Sequence, residues 1–250
     1  MRLIFFLLLL TGMAHLNAQS KDSIDTVSHT YPKEKPEFVP VKKITPELKP
    51  TVITLIASMS LISYGSIAKL TPELRKLDSN IKSAIRKNKT DFRIQIDDYI
   101  QYAPGLSVYA LNALGIKGKH NFKDLTLIYL LSTVISGILV KSVKAISKVE
   151  RPDGNGFNSF PSGHTATAFA GAELLRQEYK DVSPWFGIAG YTVASATGIL
   201  RMYNNKHWFS DVMAGAGFGI LSTKIAYYLY SVIENNLSRN KQKHTLKTGY

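Results

Sequence analysis

Long apolar runs separated by short charged segments make up most of this chain. Thr51 to Leu70 is apolar or small throughout, with no charge before Lys69, and a run of about twenty such residues can cross a bilayer core as a helix. Thr71 to Asp98 is charged, but Leu74, Leu77, Ile81 and Ile85 recur at helical spacing, which predicts an amphipathic helix on a surface or at a membrane interface. Tyr99 to Ile116 is a weaker span, interrupted by Gln101, Pro104, Gly105 and Asn112. Leu125 to Val140 is strongly apolar and ends at Lys141, with Lys144 one turn further on. Ser162 to Leu175 begins as a helix after a Pro-Ser-Gly turn, and its Ala166, Ala168, Ala170, Gly171 and Ala172 allow close helix packing. Pro184 to Leu200 and Trp208 to Ile233 complete the series. The last contains Gly215, Gly217 and Gly219, residues unfavourable in a soluble helix but common in membrane bundles. No segment alternates with the period of a strand. The pattern predicts an all-α fold, a bundle of about five or six mostly membrane-spanning helices.

The first fifty residues differ. Arg2 followed by Leu3 to Leu10 and, later, Ala18 reads as a secretory signal over residues 1–18. Leu16 departs from the usual small residue before a cleavage site, so a retained membrane anchor is the alternative. Residues 19–50 are polar and carry Pro32, Pro36, Pro40, Pro46 and Pro50; such a segment has too little apolar surface for a core and reads as a flexible linker. Residues 238–250 read as a basic tail.

Composition narrows the function classes. The 250 residues carry a net charge of +13 and no cysteine, which excludes disulfides and thiolate metal sites. A basic chain suits anionic partners. Nucleic acid is disfavoured, because the cations are scattered between apolar runs and form no single stripe. Membrane surfaces and phosphorylated substrates fit better.

Three polar clusters sit at the ends of apolar runs. Lys144 precedes Arg151 and Pro152 by six intervening residues; Pro161-Ser162-Gly163-His164 opens the next run; Arg201 is followed by His207 and then Asp211. Each residue has an ordinary explanation alone. Lys144 would be a lysine snorkelling at a membrane boundary, Arg151-Pro152 a helix stop, His207 beside Trp208 an interfacial histidine. Together they supply three fixed cations, two histidines, a carboxylate and a Ser-Gly helix start, the ingredients of a phosphoryl site. In order and spacing, as Lys-x6-Arg-Pro, Pro-Ser-Gly-His and Arg-x5-His-x3-Asp, the clusters resemble the signature of the type 2 phosphatidic acid phosphatase superfamily. The resemblance covers roughly the C-terminal half of the chain and would make residues 51–237 a phosphatase helical domain. One departure is Leu200, where the family usually has Ser or Gly.

The resemblance implies roles. His207 would be the nucleophile, forming a phosphohistidine. Asp211, taken as one helical turn further on and so on the same face, would hold one ring nitrogen and free the other. His164 would protonate the departing oxygen and then activate water. Lys144, Arg151 and Arg201 would bind phosphate, with Ser162 and the Gly163 N–H as further donors. No cofactor or metal is required, since the cations do the work of a metal. His15, His29, His120 and His244 have no such context and read as ordinary; Lys148 and Lys206 lie near the clusters and read either as substrate-attracting or as generic surface charge.

Charge also predicts orientation. Lys117, Lys119 and Lys123, then Arg176 and Lys180, then Arg239, Lys241, Lys243 and Lys247 follow alternate runs, which places them on the cytoplasmic side and all three clusters on the periplasmic side. The first half then needs one of two repairs: either the N-terminal signal is retained, giving six helices, or Tyr99–Ile116 does not cross and Thr71–Asp98 lies inside. The leading functional expectation is an inner-membrane lipid phosphatase with its site facing the periplasm, similar to the lipid A 4′-phosphatase branch. Undecaprenyl diphosphate, phosphatidylglycerophosphate and phosphatidate are alternative substrates. A soluble periplasmic acid phosphatase, a vanadium-dependent haloperoxidase and a non-catalytic phospholipid-binding protein are alternatives of other kinds. The expected partners are a phosphorylated lipid and the membrane; no motif identifies a protein partner.

Overall fold

The computed structural model describes residues 50–87 and 94–248, with side chains to residue 236. The expected signal and nearly all of the linker lie outside the described residues, as do the side chains of the tail. Eight helices account for the regular structure, and no strand occurs among the described residues. They are α1 (Pro50–Ala68), α2 (Pro72–Arg86), α3 (Asp97–Ile100), α4 (Ala103–Ala113), α5 (Phe122–Ser147), α6 (Gly163–Tyr179), α7 (Pro184–Tyr203) and α8 (Phe209–Thr248).

Local chemistry explains most boundaries. Asn121 caps α5 by accepting from the Asp124 N–H, Ser162 caps α6 and Ser183 caps α7, each satisfying a backbone donor that the first turn leaves open. Pro72 and Pro184 open α2 and α7, where a missing N–H costs nothing. Lys148 ends α5 in the left-handed region at φ 44°. The last helix does not stop near Ile233; its backbone continues to Thr248, through most of the segment read as a tail.

Three helical stretches, Thr51–Ala68, Phe122–Ser147 and Phe209–Asn236, are long and apolar enough to cross a membrane. α6 and α8 form the interior. Ala166, Ala168, Ala170, Ala172 and Leu174 of α6 are buried, and α8 packs on α1, α5 and α6. Small residues make the approach possible. A Cβ at Gly215 would lie 2.5 Å from the Ser162 carbonyl, and one at Gly171 would lie 2.6 Å from the Gly105 amide.

Six helical passages run between two ends of the bundle. α1 reaches one end where Lys69 meets Asp211 at the start of α8. α3 and α4 leave that end at Asp98 and finish where Tyr179 binds the Val108 and Ile116 carbonyls. α5 returns, α6 descends, α7 returns to Arg201, and α8 descends to Tyr227 and Tyr230 at the far end. This corrects one option for the first half of the chain. α2 lies at the same end as the polar clusters: Lys82 Nζ donates to the Pro152 carbonyl at 2.6 Å, and Asp78 accepts from the Ser210 N–H at 3.0 Å. Residues 72–86 therefore do not sit opposite the site, and the passage to the far end is made by α3 and the 11-residue α4 together, with the start of α4 against Gly171, midway along α6. The helical period of α2 was legible in sequence, but an amphipathic face does not say which end of a bundle it will cover.

Candidate active site

The loop after α5 is held by its own backbone and by side chains. Arg151 N–H donates to the Gly156 carbonyl and Ser159 N–H to the Val149 carbonyl, while the Trp208 indole donates to the Glu150 carbonyl. This brings Lys144 and Arg151 together on Asn158. Lys144 Nζ binds the Asn158 carbonyl and lies 3.4 Å from that of Ser159; Arg151 Nε donates to Asn158 Oδ1 at 2.7 Å.

The turn into α6 is locked against α8. Ser162 N–H donates to the Asp211 carbonyl at 3.0 Å. Ser162 is fully buried, and its Oγ accepts from the Thr165 hydroxyl at 2.9 Å and from the Thr165 N–H at 3.5 Å. The oxygen of the hydroxyl expected to meet substrate thus caps the helix as an acceptor, which leaves the hydroxyl's own proton free of those two contacts. Gly163 faces open space on its side-chain side apart from Val140, which leaves the first helical N–H approachable.

His207 and Asp211 do not share a helix face, as the spacing had suggested. α7 ends through Asn205 in the left-handed region at φ 58°, with the Lys206 N–H donating to the Arg201 carbonyl, and His207 lies in the turn before α8 begins at Phe209. Asp211 is in the first turn of α8, where its Oδ2 accepts from the Trp208 N–H at 2.8 Å and from Ser159 Oγ at 2.5 Å. The carboxylate caps its own helix and so reaches back towards the histidine. His207 Nδ1 stands 3.6 Å from Asp211 Oδ2, within ion-pair range but longer than a hydrogen bond. Burial pushes the His207 imidazole down to about 4, against the pull of Asp211, so it is neutral at neutral pH.

Several charged groups at this end carried no sequence signal. Lys69 Nζ lies 2.9 Å from Asp211 Oδ1 and 3.2 Å from Asp78 Oδ2. Arg201 is buried and donates from NH1 to Asp97 Oδ2 at 2.6 Å. Asp97 also accepts from Asn204 at 2.9 Å. His164 Nε2 is 2.8 Å from Asp98 Oδ1, which is 3.4 Å from Arg201 NH1. The nearest available signal was the Asp97-Asp98 pair, which looks in sequence like an ordinary acidic helix start. Lys206 pairs with Asp153 at 2.8 Å. Desolvation opposes the Asp153 charge, but Lys206 and Asn155 hold that carboxyl at about 2.

The expected residues therefore gather at one end. Lys144 interacts electrostatically with Arg151, Asp211 and Arg201, and His207 with Lys144 and Arg201. A set of cations, a neutral imidazole and an open helix start suits a tetrahedral oxyanion. Among the described residues no three histidine or acidic side chains converge as a metal ligand set. A cleft of about 510 Å³ between the α3 turn, α5 and α6 reaches His164 and Asp98. A larger groove of about 720 Å³ along α7, bounded by Arg176 and Lys180, contains none of the expected site residues.

Residues 125–234 match the family model described as the PAP2 superfamily. Over 201 residues the chain is 36% identical to a protein of Porphyromonas gingivalis named lipid A 1-phosphatase, an alignment spanning 80% of this chain and 44% of that one. It is 34% identical over 87 residues to a protein of Schizosaccharomyces pombe named a probable diacylglycerol pyrophosphate phosphatase 1, spanning 30% of each chain. The chain thus spans less than half the length of either curated relative it matches. The crystal structure of a transmembrane PAP2 type phosphatidylglycerolphosphate phosphatase from Bacillus subtilis superposes with a TM-score of 0.50 at 21% identity, covering 72% of this chain and 96% of that one. That likeness bears on the fold alone, and it agrees with the all-helical architecture expected from the hydrophobic pattern.

Proposed function

We propose that this protein is a lipid phosphatase that removes a phosphate monoester from a lipid at the outer face of the inner membrane, through a phosphohistidine. The observation that carries the reading is that Lys144 and Arg201 lie within electrostatic reach of the buried His207–Asp211 pair, with Arg151 beside Lys144 and His164 beside Arg201. His207 Nδ1 faces Asp211, so Nε2 is the attacking nitrogen: its lone pair bonds to phosphorus while the bond to the lipid oxygen breaks. His164 gives that oxygen its proton. It then takes a proton from water, whose oxygen attacks phosphorus, the N–P bond breaks, and inorganic phosphate leaves. Lys144, Arg151, Arg201 and the Gly163 N–H stabilise the charge on the three peripheral oxygens.

The cleft between the α3 turn, α5 and α6 supports a lipid substrate. Tyr129, Thr133, Gly137 and Val140 line it, and it ends at His164, so an acyl chain in it would bring its headgroup to the site. The three long apolar helices favour the membrane reading over a soluble acid phosphatase. Charge supports the periplasmic orientation: Lys119 and Arg176 lie at the end of the bundle away from His207. The Porphyromonas gingivalis relative supports lipid A as substrate and favours its 1-phosphate over the 4′-phosphate expected from sequence.

The test is phosphate release by detergent-purified protein with EDTA present. Lipid A, undecaprenyl diphosphate, phosphatidylglycerophosphate and phosphatidate would be compared, with His207→Ala as control. Release that is fastest from the lipid A 1-position, abolished in the variant, is the expected result. Equal release from several lipids would keep the chemistry and remove the lipid A assignment. Release that persists in the variant would remove the phosphohistidine.

A further inference from the structure

α3 is a four-residue helix that begins with two aspartates, and the structure separates their tasks. Asp97 is buried, with Oδ2 at 2.6 Å from Arg201 NH1 and Oδ1 at 2.9 Å from the Asn204 amide. One oxygen fixes the guanidinium and the other is held by Asn204. Asp98 is half exposed at the mouth of the cleft. Its Oδ1 is 2.8 Å from His164 Nε2 but 3.4 Å from Arg201 NH1. The shorter contact is a good hydrogen bond and the longer one is not, so Asp98 belongs to the histidine. Its own backbone carbonyl accepts from Gln101 Nε2 at 2.8 Å, which steadies the turn that carries it.

His164 needs such a partner. The reaction above requires it as an imidazolium in the first step, yet burial and, after it, the neighbouring Arg201 disfavour that form. The charged groups facing it are Asp97 and Asp98 from α3 and Arg201 from α7, with Lys141 of α5 on the wall of the same cleft. Asp98 is the one carboxylate among these in hydrogen-bond contact with the ring.

We propose that Asp98 is the positioning residue of the general acid: it holds His164 through Nε2, presents Nδ1 to the leaving oxygen, and offsets part of the penalty that Arg201 imposes on the charged ring. This rests on His164 being the acid of the proposed phosphatase reaction. The proton passes from Nδ1 to the lipid oxygen as the P–O bond breaks, and Asp98 remains ionised throughout. A residue acting this way matters only when the leaving group needs a proton. An alkoxide from a lipid does; nitrophenolate does not.

The experiment therefore compares Asp98→Asn with the full-length wild-type protein on dioctanoyl phosphatidate and on 4-nitrophenyl phosphate. The expected loss in kcat on the phosphatidate is on the order of 100-fold, with a change of less than about threefold on the nitrophenyl ester, because proton donation typically contributes that much. On the phosphatidate alone, the basic limb of the kcat–pH profile should move to lower pH in the variant, which a loss of packing would not cause. Equal losses on both substrates with an unmoved limb would overturn the proposal, as would wild-type rates. His164→Ala separates the two layers of the argument. If it loses rate selectively on the phosphatidate and Asp98→Asn does not, the positioning role alone fails. If His164→Ala shows no selectivity, the assignment of the acid fails and this proposal with it.

Discussion

The two ends of the bundle both bury carboxylates, and they treat them differently. At the far end Glu173 is completely buried, yet each oxygen has two partners: Arg176 and Lys224 on Oε1, Arg176 and Tyr191 on Oε2. Glu178 is satisfied by the His120 ring at 2.8 Å, the His120 N–H at 2.9 Å and Tyr227. At the other end satisfaction stops short. Among the described residues Arg201 Nε, Asn205 Oδ1 and His207 Nδ1 are buried side-chain polar atoms without a hydrogen bond, and Asp211 Oδ1 has only its ion pair with Lys69 at 2.9 Å; all four belong to the α7–α8 corner. A saturated polar cluster staples helices; an unsaturated one retains capacity for a further ligand. His120, which read as ordinary in sequence, belongs to the saturated kind.

This contrast can be broken by mutation, and the largest effect is expected at His207. Replacing it with alanine should reduce phosphate release on the order of 10⁴-fold or more while leaving the thermal midpoint nearly unchanged, as read by parallel turnover and melting measurements. A large drop in melting temperature would mean that His207 is a structural residue after all.

Glu173→Ala should do the reverse. It leaves Arg176 and Lys224 without their carboxylate, and breaking a buried ion pair costs about 3–5 kcal/mol. Folded protein should become scarce or melt early, but kcat per folded molecule should stay within about threefold of wild type. An intact thermal profile with lost turnover would erase the distinction between the two ends.

Asp97→Asn is expected to fall between these cases. It removes the charge partner of a buried arginine, so melting should drop by less than in the Glu173 variant, because the amide still accepts a hydrogen bond. Phosphate or vanadate binding should weaken as Arg201 loses its fixed direction, on the order of tenfold, consistent with about 1.4 kcal/mol for one charged hydrogen bond. Competition by inorganic phosphate measures it.

The smallest expected effect is on pH. Burial lowers the His207 pKa to about 4 in the fold, against about 6.5 for a free histidine. The neutral form therefore survives acidification, and the acidic limb of log kcat/KM should lie near 4 rather than 6.5. The linked stability has the same sign: His207 contributes above about pH 6.5, and the contribution fades as pH falls towards the folded value. A limb at the ordinary histidine position would show that the imidazole is not desolvated.

The helices and the candidate residues were legible because their signals are local. Twenty apolar residues, a serine before Gly163, a proline at 184 and three spaced motifs can each be read within a short window. Lys69, Asp78, Asp97, Asp98 and Ser159 had no such window. Asp78 meets Ser210 and Asp97 meets Arg201 across more than a hundred residues, and a single charged residue at a helix end has no periodicity to mark it. Even the right residues came with the wrong geometry in one case: the four-residue spacing of His207 and Asp211 suggested a shared helical face, whereas the helix starts between them and Asp211 reaches back as its cap.

By itself the sequence determined an all-helical chain, the positions of its long apolar helices, and the set of cations and histidines able to meet a phosphate, since chemistry and burial restrict which residue types occur at which spacing. Only the tertiary structure decided that α2 covers the site end and that Asp97 and Asp98 divide between Arg201 and His164. It alone decided which buried carboxylates are saturated, because contacts between distant segments depend on how helices pack, and packing is a property of surfaces that no short window contains.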